Sequence, residues 1–75
     1  MHCEKLTELA KVPNSAWSGE TAVTVGGRTY KVPEDVPCFN RSTGGWMSLS
    51  AAHGYSNHCS LYVSDGVVRV IEVGD

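Results

Sequence analysis

Two dipeptides constrain this chain more than anything else in it: Gly26-Gly27 and Asp65-Gly66. Each tolerates the positive φ angles of a two-residue hairpin turn, and each is flanked by β-branched sequence. In TAVTVGGRTYKV, residues 21–32, the turn sets Val25 opposite Arg28, Val23 opposite Tyr30 and Thr21 opposite Val32. One face then carries Val23, Val25, Tyr30 and Val32, and the other Ala22, Thr24, Thr29 and Lys31, the pattern of a half-buried antiparallel pair. In SLYVSDGVVRVIEV, residues 60–73, unbroken alternation sets Val63 opposite Val68 and Leu61 opposite Val70. Tyr62, Val67, Arg69, Ile71 and Val73 fall on the other face, so both faces are partly apolar. Such a strand is expected to be central in a sheet or covered on its second side.

The other segments are less decisive. In EKLTELAKV, residues 4–12, Leu6, Leu9 and Ala10 recur at i, i+3, i+4, with Val12 extending the stripe. That spacing predicts a short helix ended by Pro13. Pro33 and Pro37 bracket an acidic bend at Glu34-Asp35, which reads as solvated loop. The segment from Cys38 to Cys59 connects the hairpins and is rich in glycine and serine. Within it WMSLSAAH, residues 46–53, is expected to be a two-turn helix, capped from Ser42 or Thr43 and ended by Gly54. A strand with Trp46, Ser48 and Ser50 on one side is the alternative.

A chain of 75 residues makes one small domain with a thin core. The expected fold is α+β, with the N-terminal helix packed on an antiparallel sheet of the two β-hairpins. A small, partly open β-barrel is the alternative. At 41% hydrophobic the chain is too apolar to be disordered. No apolar run reaches the length of a membrane span, and MHCEKLTELAKV has no apolar signal-peptide region. A complete gene product located in the cytoplasm is the expectation.

Chemistry is sparse. Cys38, His53, His58 and Cys59 are metal-ligand types, with His2 and Cys3 further away. Zinc would strengthen so small a core, but no pair of separated knuckles is present, and adjacent His58-Cys59 would point to opposite sides of a strand. The same residues supply the types for a Cys–His nucleophile, with Asn40 or Asn57 to orient it, but no motif sets their geometry. No enzymatic activity and no cofactor are expected. A Cys38–Cys59 disulfide would staple the connection, against the reducing environment of a cytoplasm. The paired glycines lack the frame of a phosphate-binding loop, and Asn40-Arg41-Ser42 matches a glycosylation sequon without a secretory context.

Surface recognition is what remains. Trp17, Trp46, Met47 and Tyr55 are large for so small an interior, and tryptophan and tyrosine are favoured in binding hot spots. Trp17 is expected to fold back on the core, with a role as partner anchor the alternative. The expected function is therefore a small protein-binding module, an adaptor, inhibitor or regulator, of a size common in phages and mobile elements. A homodimer through the second hairpin is a further option. A zinc-stabilised module is one alternative. Another is a nucleic-acid-binding barrel using Arg28, Lys31, Arg41 and Arg69 with Tyr30 and Tyr62, which the net charge of −2 opposes.

Overall fold

The computed structural model describes residues 5–19, 21–53 and 58–74; of His58 only the backbone is described. The strands are β1 (Thr7–Pro13), β2 (Trp17–Ser18), β3 (Ala22–Val25), β4 (Arg28–Lys31), β5 (Cys38–Asn40), β6 (Gly45–Met47), β7 (His58–Ser64) and β8 (Val67–Val73). A 3-10 turn, Asn14–Ala16, separates β1 from β2, and the one short helix of the described residues, α1, is Leu49–His53. With 56% of the chain in strand and 12% helical, the protein is mostly β, and the α+β expectation is corrected.

All eight strands share one sheet. Its path runs β1-β7-β8-β4-β3-β2, with β5 on β8 and β6 outside β5. Strand β8 lies inside the sheet. It is antiparallel to β7 along one edge and parallel to β4 and then β5 along the other. The two hairpins therefore meet through a parallel contact, made by the Lys31 N–H on the Gly66 carbonyl at 3.0 Å, and not as four antiparallel strands. Strands β1 and β2 are the two ends of the path, yet only three residues separate them in the chain. The sheet must bend round on itself for those ends to approach.

The first hairpin keeps the register expected of it, with Val23 opposite Tyr30 and Val25 opposite Arg28. Gly26 and Gly27 have φ of 60° and 79°, as a turn of this hand requires. In the second hairpin the register holds from Ser64–Val67 to Val63–Val68 and then shifts: Tyr62 faces Val70 and Leu61 faces Ile71. One residue more on β8 than on β7 makes a β-bulge at Arg69. Val68, Ile71 and Val73 are consequently buried together, and the expected Leu61–Val70 pairing is corrected. Val67 and Val70 stay half-buried, so both sides of the strand are partly apolar, and it is central in the sheet, as expected.

A second bulge accounts for the missing N-terminal helix. Leu9 faces Leu61 and Val12 faces Cys59, so three steps on β1 match two on β7. The i, i+3 spacing of Leu9 and Val12 is thus the period of a strand with one residue added, not of a helix. Leu6 is 41% exposed, so the supposed helical stripe buries no continuous face. The extra residue lies at Ala10–Lys11, and Lys11 takes φ +56°. A lysine there carries a steric cost that glycine avoids. Lys11→Gly is therefore expected to stabilise the fold by about 0.5–1 kcal/mol, read as a raised urea midpoint. A lowered midpoint would show that the lysine stem contributes more than the strain costs.

The core consists of Val12, Val23, Val32, Val36, Cys38, Leu49, Ala52, Leu61, Val63, Val68, Ile71 and Val73. Seven of these twelve are valine, a residue that packs well on a pleated surface, which suits an interior built almost wholly by strands. Between β4 and β5, Val32 and Val36 point inward, and the Val36 N–H on the Pro33 carbonyl closes a turn that leaves Glu34-Asp35 outside. The helix expected over 46–53 begins only after Ser48, because Gly45–Met47 pairs with Cys38–Asn40 as a third hairpin. The capping residue is Ser48, whose Oγ accepts from the Ala51 N–H at 3.2 Å, and not Ser42 or Thr43. Leu49 and Ala52 of α1 cover one end of the core. No described helix is long and apolar enough to cross a membrane.

Candidate functional site

The residues singled out in the sequence go to different places. Trp17 is half-buried, packs against the core and meets the His53 ring edge-on, centroids 4.4 Å apart. Met47 is also half-buried against the core. Trp46 is 70% exposed on the outer side of β6. Tyr55, Gly54, Asn57, His2 and Cys3 lie outside the described residues.

Of the ligand-type residues, Cys38, His53 and Cys59 have described side chains, and that of His58 lies outside the description. Among the described residues, no three His, Cys, Asp or Glu side chains converge. Cys38 on β5 and Cys59 on β7 flank β8 on opposite edges, two strand spacings of about 9–10 Å across and two residues out of step along it. A disulfide needs Cα atoms within about 7 Å. Both are free thiols, and the stapling disulfide is corrected. The Cys38 S–H points to the Val36 carbonyl and the Cys59 S–H to the Val12 carbonyl.

Cys59, His53 and Trp17 do line one space, a small, partly open cavity of about 10 Å³ whose walls include Asn14, Leu49 and Ile71. That is room for about one water molecule and for no substrate. Burial pushes the Cys59 thiol up, with a hydrogen bond from Trp17 offsetting part of it, and burial pushes Cys38 up with neighbouring Cys59 adding to it. A reactive thiol needs the opposite shift. Among the described residues His53 Nε2 is buried without a hydrogen-bond partner, and the Trp17 ring meets the imidazole edge-on.

The outer face of the sheet is different. Phe39 of β5 lies opposite both Trp46 of β6 and Glu72 of β8, and Glu72 lies opposite Ser60 of β7. The Trp46 and Phe39 rings meet edge to face at 5.1 Å and 69°. Further along, the Tyr62 hydroxyl lies 2.9 Å from Glu72 Oε1 and 3.3 Å from Glu8 Oε2, and Arg41 Nε is 3.9 Å from Glu72 Oε1. These contacts make a continuous strip from Trp46 to Glu8 across five strands. Hydrogen bonding to Glu72 is the first cause that holds the Tyr62 phenol above its ordinary range, and the charge of both carboxylates adds to it.

The strip stands on a firm base at β5. Asn40 is 4% exposed, and its Oδ1 accepts from the Ser42 and Thr43 N–H groups at 2.8 and 3.3 Å. The Gly44 N–H closes on the Asn40 carbonyl and the Arg41 N–H on that of Val73. This fixes the turn that presents Arg41 and leads into Trp46. Sequence reasoning missed Phe39, Tyr62, Glu72 and Glu8 as members of one face. Their common side follows from β5–β8 and β1–β7 pairings that connect distant segments, and from registers set by the bulges.

Fold and surface together define a small, mostly β protein with a rolled single sheet and an aromatic and charged outer face that is most exposed at Trp46. No family model, curated protein or solved structure matches the chain.

Proposed function

We propose that this is a cytoplasmic protein-binding module, an adaptor, inhibitor or regulator, whose contact face is the outer side of the sheet around Trp46. The observation that carries this reading is Trp46 itself: 70% exposed, on a strand, and braced edge-on by Phe39. Tryptophan, tyrosine and arginine are the residues enriched in binding hot spots, and Trp46, Tyr62 and Arg41 share this face. Strands hold Trp46 and Tyr62 more rigidly than a loop would, so less side-chain freedom is lost on binding. The free thiols of Cys38 and Cys59 suit a reducing compartment.

The test is affinity capture from cells of the source organism with the wild-type chain and with Trp46→Ala. A partner bound in stoichiometric amount by the wild type is expected to bind the variant about 30-fold or more weakly, the loss typical of a hot-spot residue. The free variant is expected to stay folded, with its melting temperature lowered by roughly 2–10 °C. A partner retained equally by Trp46→Ala would remove this face from the interaction.

A further inference from the structure

Two carboxylates of this face, Glu8 and Glu72, share one hydroxyl donor. A phenol has one proton to give. Tyr62 Oη lies within reach of Glu72 and Glu8 at once, so one of the two is always without that bond. The Arg41–Glu72 ion pair is long at 3.9 Å. Beside these anions, across Phe39, stands the exposed ring of Trp46. A carboxylate wants hydrogen-bond donors and an indole face attracts a cation; a guanidinium supplies both, with five donors and a flat surface that stacks.

We propose that the face from Trp46 to Glu72 receives an arginine side chain of a partner protein, its guanidinium against the Trp46 ring and within reach of Glu72. The inference rests on the binding role proposed for this face and names what the face recognises. Charge complementarity selects an arginine-bearing protein segment over an acidic one. The flat guanidinium selects arginine over lysine, whose ammonium is a compact, strongly hydrated charge.

The probe is a decapeptide of alternating glycine and arginine, titrated at low salt while tryptophan emission is followed. Matched glycine–lysine and glycine–glutamate peptides serve as comparisons. The arginine peptide is expected to give a saturable change that the glutamate peptide does not, and to bind several-fold tighter than the lysine peptide. Trp46→Phe is expected to abolish the signal. The double variant Glu8→Gln, Glu72→Gln is expected to weaken binding about three- to tenfold, the range of partly exposed charge contacts. Equal binding of arginine and glutamate peptides, or unchanged binding by the double variant, would overturn the proposal. The captured partner separates the two ideas. If Trp46→Ala loses it and the double variant keeps it fully, the face binds a partner but arginine is not what it reads. If Trp46→Ala keeps it, the binding face itself is wrong.

Discussion

Leu61→Ala is expected to destabilise the protein by about 3–4 kcal/mol, in the upper part of the range for leucine truncation in a core. Leu61 is fully buried, at 0% exposure, in β7, between Leu9 of β1 and Ile71 of β8. Strands hydrogen-bonded along both edges cannot close over the hole that its removal leaves, so the cavity persists and its cost is added to the lost burial. A domain of 75 residues has ~4–11 kcal/mol of stability in all. The loss therefore takes a large share of it and should lower the melting temperature by roughly 15–25 °C, followed by circular dichroism. Trp46→Ala is the matched comparison. It removes a larger side chain but one 70% exposed, and costs about the edge-to-face contact with Phe39, ~0.5–1.5 kcal/mol. If the two variants melted together, the division between inner and outer face drawn here would be wrong.

The turns were legible because their chemistry is local. Gly26-Gly27 and Asp65-Gly66 need positive φ, and that alone sets the first pairings on either side. What hid the rest was a single device used twice. A bulge adds one residue to a strand and converts the inward spacing from two to three, as at Leu9–Val12 and Val68–Ile71. In β1 this imitates helical spacing. In β8 it moves Ile71 and Val73 to the same side as Val68: without Arg69, these three would alternate without a break. Short windows cannot separate these cases, since the bulge is defined by the partner strand and not by its own residues. Lys11 leaves even less trace, because the position with positive φ carries no glycine to mark it.

The candidate site divides in the same way. The exposure of Trp46 was within reach, since glycine and serine around an aromatic mark a surface connection. The inward turn of Trp17 and Met47 depended on whether the core needed them, which turns on how many valines face inward. The carboxylates of the strip were beyond local reasoning. Glu8 and Tyr62 are 54 positions apart and meet only through the β1–β7 ladder. The metal-ligand types were the most misleading feature: Cys38 and Cys59 bracket the central connection in sequence, and in space an interior strand separates them.

Asn40→Ala is expected to cost about 2 kcal/mol although it removes only a small polar group. The Asn40 side chain is almost wholly enclosed and serves as acceptor for two backbone donors, Ser42 N–H and Thr43 N–H. Removing the acceptor leaves partly buried N–H groups short of a bond, a penalty of about 1–3 kcal/mol that exceeds the worth of an ordinary hydrogen bond. Packing gives little relief. Gly74, at φ +85°, lies so close to this turn that a Cβ on it would come within 2.7 Å of Ser42 Oγ and 3.0 Å of Asn40 Oδ1. Asn40→Asp separates the two causes, since aspartate keeps the acceptor and adds a charge that favours N–H donors while paying for burial. Urea denaturation of the alanine variant should show the full loss, and the aspartate variant should recover part of it at neutral pH. The turn also carries Arg41 and leads into Trp46, so the alanine variant should bind a partner more weakly in proportion to how far the hairpin loosens. Full stability in Asn40→Ala would mean that the turn holds its shape through the Gly44 and Arg41 backbone bonds alone.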